Sequence, residues 1–444
     1  MVIFFHIDEL NRDSIVASAL RVKFANNGDT LIYGNRLVAR LLKIFHNFFD
    51  IIIVPRPHFL YDLWGNSYQN WDSKIIILST ESLGVICKDY KVMARTLLEK
   101  GYFENDKSVV NRIDAFCIWG TRQFEAINKY AQEQISKFHV VGHPRHDKLC
   151  VEFQINKQSN TKKRIGIVTR SVSINDYQGR STLDSFSTLL DNHFQYEYFN
   201  KQTGDNLKST RPGAYPAETV AVTALDTAAL IKIISRLNEN DHEIHLRPHP
   251  KEDLSVWYKI FSSNNIKLTI SDPFEPITHW LKRVDFLIGP PSTSFYDAIM
   301  LGVSPISINL IDTRRNVFIG ELWEDNNRLM SSITQPTSIE ELLALINKNE
   351  ISKPCPEALK VINEEASFPN CQSSLDKVVN VCNSLPIKEY KNSNFIFIFL
   401  FSRYIFLIAW KVRNLIFNIK PNSSYFALDL KTINKINRLV KNIR

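Results

Sequence analysis

Two apolar segments in the C-terminal half of this 444-residue chain each end in residues that carry charge or hydrogen-bonding groups. HEIHLRPHP covers residues 242–250, and VDFLIGPPSTSFYDAIMLG covers residues 284–302. Each apolar run predicts a buried strand. Ligands of open α/β sheets bind outside the carboxyl ends of the strands, so we expect both polar ends to face one crevice. The pair therefore predicts an α/β fold with a ligand site at one edge of a parallel sheet.

Strand-like and helix-like segments alternate through residues 1–155 and again after the polar stretch QINKQSNTKK. Such alternation is typical of a mostly parallel sheet with helices on both faces. We predict two Rossmann-like domains facing a cleft, the GT-B type of architecture. The predicted domains are 1–155 and 156–385, and 386–444 form a basic, hydrophobic tail.

All of the excess positive charge lies in the tail. The chain has a net charge of +8, and residues 386–444 hold eleven Lys or Arg against two acidic residues, so the rest is close to neutral. This argues against nucleic acid as a partner of the domains and predicts contact with an anionic membrane surface. The apolar run FIFIFLFSRYIFLIAW would form a helix of about 24 Å, shorter than the ~30 Å hydrocarbon core. The alternative is a helix that packs back on the domains.

The N-terminal residues and the cysteines predict a cytoplasmic protein. The first residues, MVIFFHIDEL, lack the basic segment of a signal peptide and predict a first strand. The six cysteines show no CxxC or zinc-ribbon spacing, which predicts reduced thiols. We therefore expect a protein held peripherally on the inner face of the cytoplasmic membrane.

Arg247 and His249 are the first candidate site residues. Arg247 is expected to clamp a phosphate, and His249 to donate a proton or a hydrogen bond to a departing diphosphate oxygen. The alternative is a strand-end Arg and His bonded to local carbonyls. With His245 they form a poor metal-ligand set, because one member is Arg and no carboxylate accompanies them. We predict neither a metal nor a cofactor.

The turn after the second apolar segment supplies further candidates. Ser292, Thr293 and Ser294 offer three consecutive hydroxyls, more than one helix cap requires, and they predict phosphate contact. Gly289 would let the backbone approach a ligand closely. Asp297, one turn into the helix, is expected either to bind a ribose hydroxyl or to balance the helix dipole.

A transfer reaction also needs a base that deprotonates the acceptor. Glu81, directly after the apolar run KIIILST, is the first candidate. Asp8 and Glu9, after the first predicted strand, are its rivals. His143 and Arg145, in the motif GHPRHD close to the linker, are expected either to anchor the domains or to reach the phosphate.

Several motifs taken in order resemble the bacterial surface carbohydrate biosynthesis family of capsule and O-antigen type. They are NRDSIVASALRVKFANNGDTLIYG, TESLG, IWGTRQFEAINKY and VVGHPRHDKL, followed by the two segments described first. The resemblance covers residues 1–385. More distantly, RPHP and STS resemble the HP and Ser/Thr motifs of polysialyltransferases, capsule Kdo transferases and teichoic-acid glycerophosphotransferases. In those relatives the two motifs hold a cytidine nucleotide, which implies a CMP- or CDP-linked donor.

The resemblance implies a glycosyltransferase or a close relative acting on a surface polysaccharide, and we predict an inverting, metal-independent glycosyltransferase. It would transfer a sugar from a nucleotide-sugar donor to a glycan or lipid-linked acceptor, with residues 1–155 as the acceptor domain. A nucleotide-sugar epimerase of the same fold, a polyol-phosphate transferase and a non-catalytic assembly factor are the alternatives.

Overall fold

The computed structural model describes residues 1–8, 10–79, 88–98, 107–147, 163–176, 197–199, 206–208, 214–240, 242–311, 327–348, 354–367, 373–387, 398–405 and 408. The chain divides into two compact units. The first unit is Met1–Gln154 with Asn327–Leu329 and Leu359–Arg444, and the second is Ile155–Asn326 with Met330–Ala358.

The described strands and helices alternate along most of the chain. The strands are β1 (Val2–His6), β2 (Thr30–Gly34), β3 (Ile51–Val54), β4 (Lys74–Leu78), β5 (Ala115–Ile118), β6 (Phe138–Val140), β7 (Arg164–Val168), β8 (Glu197–Phe199), β9 (Asn206–Lys208), β10 (Glu243–Arg247), β11 (Thr269–Ile270), β12 (Phe286–Gly289) and β13 (Ser304–Ser307). The helices are α1 (Leu10–Asn26), α2 (Arg36–Arg40), α3 (Leu42–Phe45), α4 (His58–Trp64), α5 (Tyr90–Leu98), α6 (Ser108–Arg112), α7 (Thr121–Tyr130), α8 (Ala214–Glu239), α9 (Leu254–Ser263), α10 (Ile277–Leu281), α11 (Ser294–Met300), α12 (Ile339–Asn347), α13 (Pro356–Ala366), α14 (Ser374–Ser384) and α15 (398–405).

The first unit is built on a parallel sheet with the strand order β2-β1-β3-β4-β5-β6. All four residues of β3 are buried, as expected of a strand that is covered on both faces. The order changes direction between β1 and β3, as in flavodoxin-like folds.

The second unit is built on a parallel sheet with the strand order β11-β10-β7-β12-β13. Because β7 is the first strand of this sheet and lies at its centre, the order reverses between β7 and β12. That reversal is the position at which Rossmann-like sheets bind ligands. The prediction of an α/β chain with two Rossmann-like units is confirmed.

Residues 359–385, which the sequence placed with the second domain, belong to the first unit. Val378 and Cys382 of α14 lie in the core of the first sheet. The carboxylate of Asp147 accepts hydrogen bonds from the backbone N–H groups of Ser374 and Leu375 at 2.8 and 2.9 Å. It therefore satisfies the free N–H groups at the start of α14, a contact between residues more than 220 positions apart.

A buried group of charges attaches the other returning segments to the first unit. Glu365 of α13 is fully buried, and its Oε1 lies 3.5 Å from both Arg122 Nη1 and Arg328 Nη1. Arg328 also pairs with Glu364. Burial raises the pKa of Glu365 to about 7 in spite of the two guanidinium groups, so its desolvation outweighs their attraction.

The described part of the predicted tail packs on the first unit. Phe399 of α15 is buried, with its ring centroid 5.1 Å from Phe49, 5.7 Å from Phe45 and 6.3 Å from Phe4. The residues on the outward side of this segment are large and apolar: Ile398, Leu400, Phe401, Tyr404, Ile405 and Ile408. Within the described residues, no helix is long and apolar enough to cross a membrane. The amphipathic pattern predicted for 431–444 lies outside the described residues.

Candidate active site

Polar residues gather at the carboxyl edge of three adjacent strands in the second unit. Residues 169–171 follow β7, residues 248–252 follow β10, and residues 290–294 follow β12. Because the three strands are parallel neighbours with β7 in the middle, their carboxyl ends meet on both sides of the order reversal.

The carboxylate of Glu252 ties two of these strand ends together. It is buried and accepts hydrogen bonds from Thr169 Oγ1 at 2.6 Å, the Ser171 N–H at 2.6 Å and Trp257 Nε1 at 2.8 Å. Desolvation raises the pKa of Glu252, and these hydrogen bonds oppose the rise. The Thr169 hydroxyl also accepts from the His249 N–H at 3.1 Å. The backbone that carries His249 is therefore fixed to the end of β7.

His249 lies just beyond the end of β10, and its side chain is partly exposed. Burial lowers its pKa to about 4, with further lowering by the charges of Lys251, Arg247 and Arg170. The imidazole is therefore neutral near pH 7. Its Nδ1 accepts from the Lys251 N–H at 3.2 Å, which assigns the single proton to Nε2. The geometry makes His249 a neutral hydrogen-bond donor, which fits one of its two predicted roles.

Arg170, which the sequence analysis did not select, lies between β7 and β12. Its Nη1 donates to the Pro291 carbonyl at 3.5 Å, and its charge acts on His249. A guanidinium therefore lies at the order reversal of the sheet, and guanidinium groups suit phosphate recognition because they donate in a planar fork.

The three predicted hydroxyls lie together and are partly exposed. Ser292 Oγ accepts from the Ser294 N–H at 3.2 Å and donates to Ser294 Oγ at 3.3 Å. Thr293 occupies the N-cap position of α11, but its side chain makes no capping hydrogen bond. The Ser292 hydroxyl therefore shapes the turn. The side chains of Thr293 and Ser294 lie at the same edge of the sheet as His249.

The surroundings of Gly289 and Asp297 are those of packed residues, which for Asp297 fits the predicted alternative of balancing the helix dipole. A Cβ atom on Gly289 would lie 2.6 Å from Val168 Cγ2 and 2.8 Å from the Val168 carbonyl oxygen. Glycine is therefore required for packing between β12 and β7. Asp297 is only 1% exposed, so its carboxylate is covered from solvent and acts electrostatically on Arg247.

The guanidinium of Arg247 bonds to the loop that follows β11. Its Nη2 donates to the carbonyls of Pro273 at 3.0 Å and Glu275 at 2.5 Å, and its Nη1 to that of Asp272 at 3.5 Å. Burial lowers its pKa to about 10. These contacts are those of the alternative, a strand-end Arg bonded to local carbonyls. His245 instead contacts Glu243, with 2.8 Å between Nε2 and Oε1.

His143 and Arg145 lie in the first unit, inside its structure. The His143 ring is fully buried, 4.3 Å from the Trp119 ring centroid, and its Nδ1 accepts from the Arg145 N–H at 3.1 Å. A Cβ atom on Gly142 would lie 2.5 Å from Ser374 Oγ. The surroundings of this motif are those of a packing element between the first sheet and the returning chain, and its expected roles in anchoring the domains or reaching the phosphate stay predictions.

The predicted base lies outside the described residues. Glu81 follows β4, which occupies the middle of the first sheet, and the described chain stops at residue 79 and resumes at 88. Its rival Glu9 is also outside them. Asp8 is described, and its N–H donates to the buried carboxylate of Asp13 at 2.9 Å.

A cavity of about 370 Å³ lies elsewhere in the second unit, at the amino end of β13. Ser304, Ser332, Thr334, Cys355 and Glu357 are among its lining residues. None of the described residues that line it carries a cationic group, so it does not suit a phosphate. Among the described residues there is also no group of three or more His, Cys, Asp or Glu side chains placed to hold a metal ion.

Solved structures of known proteins align with most of this chain, but at low sequence identity and with TM-scores below 0.5. The wall teichoic acid polymerase TagF aligns over 86% of this chain and 88% of its own, with 13% identity and a TM-score of 0.49. The UDP-GlcNAc 2-epimerase of Methanocaldococcus jannaschii, in complex with UDP-GlcNAc and UDP, aligns over 86% and 99%, with 12% identity and a TM-score of 0.46. A putative UDP-N-acetylglucosamine 2-epimerase from Listeria monocytogenes aligns over 86% and 96%, with 11% identity and a TM-score of 0.48.

No family model and no curated protein sequence matches the chain. A structural likeness at TM-scores below 0.5 does not identify a reaction, so the residues of the chain itself have to indicate one.

Sequence reasoning missed Thr169, Arg170 and Glu252. The signal was available for the first two, because they follow the apolar run IGIV just as the predicted site residues follow theirs. Glu252 carried no local signal, since its partner Thr169 is 83 residues away.

Proposed function

We propose that this chain is a glycosyltransferase of surface polysaccharide assembly and that its second unit holds the nucleotide-sugar donor. One observation carries the proposal: a neutral donor imidazole, a guanidinium and a set of hydroxyls follow three adjacent parallel strands where the strand order reverses. These are His249, Arg170 and Ser292 to Ser294.

The arrangement suits the departure of a nucleoside diphosphate. As the bond from the sugar to the diphosphate breaks, negative charge grows on the leaving oxygen. Nε2–H of His249 would donate to that oxygen, and Arg170 would supply a full positive charge to the phosphates. Both groups are held in place beforehand, His249 through Thr169 and Glu252. Preorganised donors of this kind stabilise a transition state without a cost of reorganisation at the moment of reaction.

The first unit would receive the acceptor, a glycan or a lipid-linked sugar. Glu81 would take the proton from the acceptor hydroxyl while that oxygen attacks the anomeric carbon and the nucleotide leaves from the opposite side. This in-line displacement inverts the anomeric configuration and needs no metal ion. A CMP- or CDP-linked sugar is the first donor to examine.

Turnover of His249→Ala tests the donor site. The full chain is incubated with CMP-, CDP-, UDP- and GDP-linked sugars, and release of the nucleotide is followed. Loss of one preorganised donor is expected to lower kcat by about 10²–10³. A rate within about threefold of the unsubstituted protein would contradict the role of His249. A product epimerised at the sugar without an acceptor would favour the epimerase, and a phosphate-bearing product the polyol-phosphate transferase.

Glu81→Gln tests the base. The amide keeps the shape of the side chain but cannot take a proton. Nucleotide affinity should be preserved while transfer is lost. An equal loss of affinity and rate would assign Glu81 a structural role, and unchanged transfer would remove it from the mechanism.

Peripheral attachment to the membrane is the remaining part of the proposal. The outward side of α15 exposes Phe401, Tyr404 and Ile405, each more than half exposed. The tail that contains this helix carries eleven basic and two acidic residues. Apolar surface beside positive charge is the combination that binds an anionic bilayer surface.

A further inference from the structure

The buried side chain of Arg247 holds the loop 271–276, which connects β11 to α10. The Ser271 N–H extends the pairing of β11 with β10 by donating to the Leu246 carbonyl at 2.8 Å. Beyond it, the carbonyls of Asp272, Pro273 and Glu275 all accept from the one buried guanidinium of Arg247. A single side chain therefore fixes three of the six residues in the loop.

Contacts within the loop restrict it further. Asp272 Oδ1 accepts from the Phe274 N–H at 2.8 Å, and the Asp272 carbonyl accepts from the Glu275 N–H at 3.1 Å. The prolines at 273 and 276 fix the backbone φ angle at two more positions. The side chain of Glu275 pairs with Arg283 at 2.5 Å. The backbone at residue 274 is therefore held by contacts within the chain itself.

Phe274 is the exposed aromatic residue of this loop. Its side chain is 52% exposed, although the loop that carries it is held by a buried charge. The loop follows β11, the neighbour of β10, and so it lies at the same carboxyl edge as His249. Tyr258, another exposed aromatic residue of this unit, lies on α9 and has no such support.

A flat, exposed ring on a fixed loop, at the same sheet edge as the proposed phosphate-binding groups, has the chemistry of a stacking surface. Nucleobases stack on aromatic side chains whatever the base, because every base has a π face. A ligand with its diphosphate between β7 and β12 would extend its nucleoside across β10 towards β11, where Phe274 lies.

We propose that Phe274 is the surface on which the nucleobase of the donor stacks, and that Arg247 is the positioning residue that holds it there. The inference rests on the proposed function, since it assumes that the second unit binds a nucleotide. It adds a residue, Phe274, that recognises the base, and it gives Arg247 a positioning role that agrees with its contacts.

Titration calorimetry on the full chain tests this inference, with CDP, UDP, GDP and inorganic pyrophosphate as ligands. Loss of one base–aromatic stack should weaken nucleotide binding about tenfold in Phe274→Ala. Pyrophosphate, which has no base, should bind Phe274→Ala as it binds the unsubstituted protein. Phe274→Tyr keeps the ring and should keep the affinity, and Tyr258→Ala is the matched control for removal of an exposed ring.

Three results would overturn the inference. Equal nucleotide affinity in Phe274→Ala and the unsubstituted protein would remove the stacking role and leave the proposed function intact. Equal weakening of nucleotide and pyrophosphate would mean that the substitution disturbs the phosphate site. If none of the nucleoside diphosphates binds the unsubstituted protein, a CDP-, UDP- or GDP-linked donor and this inference both fail.

Discussion

The hydroxyl of Thr169 donates a 2.6 Å hydrogen bond to the buried carboxylate of Glu252, 83 residues further along the chain. The same hydroxyl accepts from the backbone N–H of His249. The two contacts join the carboxyl end of β7 to that of β10, directly at His249, the proposed hydrogen-bond donor to the leaving group. The position of His249 therefore depends on a residue that has no contact with the ligand in our account.

Thr169→Val removes both contacts while keeping the shape of the side chain. It leaves the Glu252 carboxylate short of one donor and the His249 N–H without this acceptor, and an unsatisfied buried group costs about 1–3 kcal/mol. We expect a lower Tm and a lower kcat, both of which Thr169→Ser should largely restore. Unchanged turnover in Thr169→Val would mean that the His249 loop does not need this tether.

The neutral state of His249 predicts the shape of the pH profile. Its pKa is about 4 in the folded protein against 6.5 ordinarily, so the imidazolium has already lost its second proton well below neutral pH. Turnover should therefore show no fall between pH 5.5 and 7.5 that is due to His249, and His249→Gln, which retains an N–H donor, should exceed His249→Ala. A fall with an apparent pKa near 6.5 that disappears in His249→Gln would instead indicate an imidazolium acid.

The same shift predicts a dependence of stability on pH. Between pH 4 and 6.5 the unfolded chain binds more protons at position 249 than the folded protein does, so the free energy of unfolding should rise with pH in this window. Above the window the contribution levels off. Thermal unfolding of His249→Gln and the unsubstituted protein should diverge on acidification, and parallel curves would contradict the lowered pKa.

Arg247→Ala distinguishes the positioning role from the phosphate clamp. Three loop carbonyls lose their donor, so we expect a clear fall in Tm and weaker binding of nucleotides, with pyrophosphate affected much less. The phosphate clamp expected from the sequence would instead lower turnover and leave the Tm unchanged. An unchanged Tm together with lost pyrophosphate affinity would restore that interpretation.

The exposed side of α15 predicts which residues touch the membrane. Phe401→Ser with Ile405→Ser should reduce sedimentation with phosphatidylglycerol vesicles and leave the Tm unchanged, because both side chains are exposed. Phe399→Ala is the contrast, since removal of a buried phenyl costs about 3–5 kcal/mol. Added salt should weaken vesicle binding only in part, because charge is screened beyond about 10 Å at 0.1 M salt and apolar contact is not.

Two outcomes would contradict a membrane contact. One is full-length protein that does not sediment with anionic vesicles, and the other is a double variant that sediments as well as the unsubstituted protein. Truncation after residue 385 is a poorer test, because it also removes Phe399 from the core of the first unit.

The alternation of strands and helices was predictable because its signal is local. Ile51–Val54 and Lys74–Leu78 are short apolar runs bounded by polar residues, and both form buried central strands. The return of α14 to the first unit had no local signal. It depends on Asp147 and on core contacts of Val378, and the sequence between them runs through the whole second unit.

The sequence predicted which edge of the sheet carries the candidate site, but it predicted fewer of the contacts that the site residues make. His249 and the three hydroxyls lie where the strand ends placed them. Arg247 and Gly289 were assigned to a ligand because Arg and Gly near a strand end often contact phosphate, whereas their partners are the carbonyls of a loop and the packed Val168. Partners of this kind follow from the register of neighbouring strands, which a single sequence does not show.

Calorimetric titration of Arg170→Ala against a nucleotide panel tests the central claim most directly. The panel is CMP, CDP, UDP, GDP and their sugar conjugates, and Arg236→Ala, an exposed arginine on α8, is the control. We predict that one nucleotide class binds the unsubstituted protein and Arg236→Ala alike. Loss of a charge-assisted hydrogen bond should weaken that binding about tenfold in Arg170→Ala. Equal affinity in Arg170→Ala, or no binding by any member of the panel, would contradict a nucleotide site at the junction of β7 and β12.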